Sequence, residues 1–262
     1  MPDERIKKSV LPAESRFDLD RFCGCPGTVL IVAPHPDDDI IGAGGAMAIL
    51  AQSGPAVFSL YVTDGSTSSC CPAVREREAC DALKAVHARA GFFLRQSSGQ
   101  LEGRAGRRAA TEKIRSVFDF LRPESVYVPS PFEGHVTHRR VTALCVSAIR
   151  QISRWRPSLW GYHVWGGLYG LPGTRTVDIS RVMGKKRRAL RMHKSQLAFK
   201  AYDAGIAGRN RYEGVYMETH AAQSVRFAES FIDMQELVAD RRVTLRSFAE
   251  KKLGELLGSE GR

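Results

Sequence analysis

An imidazole and three carboxylates stand together at His35-Pro36-Asp37-Asp38-Asp39, with a single proline between the ring and the acids. A neutral imidazole and a carboxylate three residues apart are plausible ligands for a divalent cation such as zinc. The pair is incomplete, because a catalytic zinc takes three protein ligands and keeps one position open for water. Two more imidazoles, His135 and His138, lie downstream in Pro131-Phe132-Glu133-Gly134-His135-Val136-Thr137-His138-Arg139-Arg140, and one of them would complete the set. A metal centre with a carboxylate beside it but not bound to it can activate water and polarise an amide carbonyl.

The flanking residues indicate what positions these groups. The run Thr28-Val29-Leu30-Ile31-Val32-Ala33 reads as a buried strand that delivers His35 and the acids to the C-terminal edge of a sheet. Ser125-Val126-Tyr127-Val128-Pro129 reads as a second such strand, ending just before the downstream histidines. Parallel strands are expected at Val29–Ala33, Val57–Val62 and Val126–Pro129, with a shorter one at Phe92–Leu94. Helices are expected at Gly44–Gln52, Val74–His87, Ala109–Leu121 and Val141–Gln151. This alternation predicts an α/β, Rossmann-like layered fold with a mainly parallel sheet and a metal site at the C-terminal strand ends. Gly42-Ala43-Gly44-Gly45 does not follow G-x-G-x-x-G, and the neighbouring acids would repel a pyrophosphate, so no nucleotide cofactor is expected.

Further on, Trp160, Tyr162 and Trp165 alternate within 155–173 and suggest a strand whose aromatic face reads as core before sugar platform. A long helix is expected over Arg181–Phe199. The chain divides into an N-terminal arm (1–26), one main domain (27–232) and a basic, helical C-terminal extension (233–262).

Bulk properties narrow the class. The chain has 262 residues, 43% of them hydrophobic, which suits one large globular α/β domain. No stretch approaches the roughly 20 apolar residues of a membrane helix, and residues 1–19 lack the apolar block of a secretory signal. A cytoplasmic location is the expectation. Six cysteines without a C-x-x-C framework argue against a four-cysteine structural zinc site. The net charge of +11 suggests nucleic acid in general terms, yet the basic clusters are dispersed and lack interleaved aromatics. Nucleic acid is not the expected partner; a solvated basic surface, or attraction of an anionic substrate, accounts for the charge.

The two histidine motifs, in this order and after these strands, resemble the PIG-L/LmbE-like family of zinc-dependent N-acetylglucosamine deacetylases. The resemblance extends through Thr63-Asp64-Gly65, Arg75-Glu76-Arg77-Glu78, Val177-Asp178-Ile179-Ser180, Lys186, His193-Lys194-Ser195-Gln196 and Ala228-Glu229-Ser230-Phe231, spanning residues 27–232. It implies that His35, Asp38 and His138 bind Zn2+, with Fe2+ also accommodated by such donors, and that Asp37 is the general base. His135 would stabilise the oxyanion. Arg75, Asp64 and Arg139 would contact substrate, although an ion pair between Arg75 and Glu78 explains the same helical spacing. Asp39 and His193 would support the site from behind. His87, His163 and His220 carry no motif and read as structural.

Three departures accompany the resemblance. Asp39 stands where the family most often has Glu. No acidic residue lies between His135 and His138, which removes a possible orienter. Ser98-Gly99 replaces an Asp-Gly turn. The implied activity is hydrolysis of an N-acetyl group from an amino-sugar conjugate; the net charge of +11 adds the expectation of an anionic one, with Arg75, Arg139, Lys185 and Arg211 as candidate rim cations. Two other classes fit the composition: a catalytically silent metal-binding partner protein, and a nucleic-acid-associated hydrolase.

Overall fold

The computed structural model describes residues 27–66, 70–168, 170–216 and 225–258. The proposed N-terminal arm, Cys23, Cys25 and His220 lie outside them. Seven strands form one sheet in the order β3-β2-β1-β4-β5-β7-β6. The five parallel ones are β1 (Thr28–Ala33), β2 (Ala56–Thr63), β3 (Ala90–Gln96), β4 (Ser125–Pro129) and β5 (Ser158–Tyr162). β7 (Ala228–Asp233) runs antiparallel to both β5 and β6 (Thr174–Asp178). Every residue of β1 and β2 is buried, as expected for central strands covered on both faces.

The helices are α1 (Asp38–Gln52), α2 (Pro72–Ala85), α3 (Arg104–Leu121), α4 (Val136–Arg150), α5 (Met183–Leu190), α6 (Lys194–Leu197), α7 (Tyr202–Tyr216), α8 (Gln235–Ala239) and α9 (Leu245–Leu256). Successive residues of β1 point to opposite faces. Leu30 and Val32 pack with α3, α4, α8 and α9, whereas Val29, Ile31 and Ala33 pack with α1, α2 and α5. Chain order reverses between β1 and β4, so their C-terminal ends open a crevice at the switch point of the sheet.

Several boundaries differ from the sequence reading. α1 begins at Asp38, not Gly44, so the glycines sit inside it. Gly42 permits close packing there: a Cβ would lie 2.1 Å from the ring of Tyr162, whose hydroxyl donates to the Val32 carbonyl at 2.8 Å. In mid-helix, Glu229 accepts the Gly45 and Ala46 N–H groups at 2.8 Å each, while Lys186 (2.9 Å) and Arg209 (2.8 Å) donate to the Ile41 carbonyl. Lys186 and Glu229 are themselves paired at 2.6 Å, both fully buried. Distant side chains therefore hold the helix that carries the acidic motif.

The long helix expected over Arg181–Phe199 is two helices, α5 and α6. The cause is tertiary: Glu78 accepts the Ser195 backbone N–H (2.7 Å) and hydroxyl (2.6 Å), so a carboxylate holds the start of α6. The aromatic strand is also shorter than expected. Trp160 and Tyr162 lie on β5 and pack in the core, while Trp165 lies beyond the strand and is 50% exposed. After residue 233 the chain forms α8 and α9, and their Leu237, Val238 and Phe248 are buried in the main core.

Candidate active site

The loop after β1 and the start of α4 meet over the switch point. His35 Nδ1 lies 2.9 Å from Asp38 Oδ2. His138 Nε2 is 3.3 Å from that same oxygen and 3.3 Å from His35 Nδ1. Zinc–nitrogen bonds of about 2.0–2.1 Å place tetrahedral donors roughly 3.3 Å apart, so these three atoms have the spacing of one face of a zinc coordination tetrahedron. Ring nitrogens of His35, His135 and His138 also fall within 4.8 Å of one another, which makes the histidines alone a second possible donor set.

Hydrogen bonding separates the two imidazoles of α4. His138 Nδ1 faces Glu133 Oε2 at 3.0 Å; with an N–H engaged there, Nε2 is the nitrogen that would face a metal. A carboxylate behind a ligand histidine is the usual means of fixing its tautomer. His135 is the N-cap of α4, and its Nδ1 accepts the Thr137 N–H at 3.3 Å. With Nδ1 accepting, a neutral His135 carries its proton on Nε2, the tautomer of a hydrogen-bond donor. Burial, reinforced by the neighbouring imidazoles, pushes its pKa down, which keeps it neutral.

Asp37 is held apart from the cluster. Its carboxylate caps no helix and instead pairs with Arg75 at 3.1 Å. Burial raises its pKa to about 6, against the opposing pull of Arg75. Asp38 behaves oppositely: burial would raise it, but the two imidazoles hold it far below the usual carboxylate range. Adjacent acids with divergent pKa values suit one ligand and one base.

Arg75 is not on the rim. It is buried, donates to the Gly65 (3.1 Å) and Pro36 (3.4 Å) carbonyls, and lies under Asp37; Glu78 is committed to Ser195. Gly65, at φ +61°, lets this loop approach, since a Cβ would sit 2.6 Å from Pro36 Cδ. Asp39 turns away from the metal-binding motif, accepting from Ser59 (2.6 Å) and Tyr61 (2.7 Å) of β2, and therefore orients no ligand. Glu133 takes that role, although it precedes both histidines. It also accepts the Val164 N–H at 2.5 Å. Asp64 accepts from Ser66 beside the site. Arg139 is exposed and caps the Glu133 and Gly134 carbonyls. His193 is buried with neither ring nitrogen partnered, and burial, aided by Arg75, pushes its pKa down to about 3. Arg211 lies over the Phe227 ring, and Lys185 is half-buried on α5. His163 is a buried structural partner of Glu213 at 2.9 Å.

A histidine–carboxylate cluster with a separate acid beside it, at the switch point of a Rossmann-like sheet, has the components of a hydrolase. Residues 30–149 match the family model described as PIG-L, GlcNAc-PI de-N-acetylase. Diacetylchitobiose deacetylase from Thermococcus kodakarensis is 31% identical over 195 residues, covering 64% of this chain and 69% of that protein. The chain belongs to the PIG-L family of de-N-acetylases. In structure it resembles N,N'-diacetylchitobiose deacetylase from Pyrococcus horikoshii, with a TM-score of 0.66 at 22% identity over 91% of this chain and 95% of that one. It also resembles GalB, the 4-carboxy-2-hydroxymuconate hydratase of Pseudomonas putida KT2440, with a TM-score of 0.59 at 19% identity over 79% and 95%. Likeness at these identities shows the fold alone, and the fold carries a hydratase as well as deacetylases.

Proposed function

We propose that the protein removes the acetyl group from an N-acetylated amino-sugar conjugate, using a divalent metal held by His35, Asp38 and His138. The observation that carries this reading is the convergence of three donor atoms within 3.3 Å while Asp37 stays outside them, bound to Arg75. Zinc fits these donors, and Fe2+ is the second choice. When bound, the metal supplies Lewis acidity and brings the pKa of water toward neutrality.

The chain's own groups do the rest. Asp37, ionised above about pH 6, accepts a proton from the attacking water as its oxygen bonds to the acyl carbon. His135 Nε2–H donates to the carbonyl oxygen as negative charge develops there. The proton on Asp37 then passes to the amine nitrogen as the C–N bond breaks, giving acetate and the free amino sugar. Arg75 holds the Asp37 carboxylate in place and favours its ionised form.

The net charge of +11 supports an anionic conjugate, with Arg139 the exposed cation beside His135. Among the described residues no helix is long and apolar enough to cross a membrane. Acetate release from neutral and phosphorylated N-acetylglucosamine conjugates, with and without chelator, tests the reading. Chelator-sensitive release is expected; equal release from the metal-free protein would contradict it.

A further inference from the structure

Trp165 is 50% exposed on the loop after β5. Its indole meets the Tyr202 ring at a centroid distance of 5.2 Å, with the planes at 51°. Trp155 and Trp160, by contrast, are half-buried against the core. Exposing an indole forgoes much of the apolar burial that such a side chain can contribute.

The backbone beneath Trp165 is fixed from both sides. Glu133 accepts the Trp165 N–H (3.3 Å to each oxygen) together with that of Val164, and Arg209 donates to the Val164 carbonyl at 2.6 Å. Glu133 is also the residue that orients His138. The loop bearing the exposed indole is thus built into the support of the reaction centre. Tyr202, half-buried at the start of α7, backs the indole through that ring contact.

We propose that Trp165, backed by Tyr202, is a sugar-ring subsite that holds the ring attached to the acetylated amino sugar. Pyranose rings present apolar C–H faces, and aromatic walls with a few fixed polar groups are the usual lining of small-molecule sites. The substrate class that follows is an N-acetylated disaccharide or longer glycan, in preference to a free monosaccharide. The inference rests on the amino-sugar reading above for the identity of the ligand.

Calorimetric titration of the metal-loaded Asp37→Asn protein with N-acetylglucosamine and with N,N'-diacetylchitobiose tests it. The disaccharide is expected to bind at least about tenfold more tightly, a difference of roughly 1.4 kcal/mol. Trp165→Ala in the same background is expected to lose that advantage with monosaccharide affinity unchanged, and Trp165→Phe to recover most of it. Unchanged disaccharide affinity in Trp165→Ala would overturn the subsite, as would failure of the disaccharide to bind the parent protein. A shifted melting temperature in Trp165→Ala makes Trp165→Phe the deciding variant, and the subsite falls if that substitution does not retain the preference. Acetate release by the protein with Asp37 intact is scored separately. Trp165-dependent binding without acetate release would keep the subsite and sink the deacetylase reading; release with no dependence on Trp165 would do the reverse.

Discussion

Glu133 and His135 show how two residues near one metal motif acquire different tasks. Glu133 fixes the His138 tautomer, so Glu133→Gln is expected to weaken metal affinity roughly 10–100-fold, as loss of such partners typically does; competition with a chromogenic chelator measures this. His135→Ala is expected to keep the metal and lose roughly 10²–10³ in kcat, the cost of removing one oxyanion donor. Loss of metal from that variant would instead favour ligation by the three histidines. Asp37 must be ionised to act as base, so kcat/KM should fall as pH drops through about 6 or below, since a nearby cation lowers the value further. The chemistry-bearing types were legible because His35 to Asp39 are contiguous. The role of Arg75 was not: helical spacing offers Glu78 as partner, whereas the fold gives Glu78 to Ser195 and Arg75 to Asp37. Glu133 was not legible as the orienter because it precedes both histidines and reaches His138 Nδ1 only through the turn into α4.

At the scale of elements, α1 presents Asp38, and its middle is held by Glu229 and Lys186 from β7 and α5. Removing one member of a buried ion pair costs roughly 3–5 kcal/mol, so Glu229→Ala should lower unfolding free energy by about that much, measured by denaturant titration. The parallel strands could be read from sequence because burial on both faces leaves continuous apolar runs, as in β1 and β2. β6, with the sequence Thr-Arg-Thr-Val-Asp, is partly exposed and carries no such run. β7 includes Glu229 and Ser230, polar residues whose burial depends on partners far away in sequence. The break between α5 and α6 was invisible for a related reason. Its cause, Glu78, lies on another helix.

Across the whole molecule, the site joins the β1–α1 turn to the start of α4 across the switch point, and a metal bound there would tie them together. A ligand that binds only the folded state raises stability by mass action, so chelation should lower the melting temperature and added Zn2+ should restore it. Scanning calorimetry measures both. The basic surface predicts that KM for a phosphorylated sugar rises with ionic strength while KM for a neutral one stays constant. The measurement that bears most directly on metal-dependent hydrolysis with Asp37 as base is a paired assay of acetate release and bound metal in Asp37→Asn. One metal per chain is expected, as in the parent protein, with turnover reduced by roughly two or more orders of magnitude. Near-parental turnover, or loss of the metal along with the activity, would contradict it.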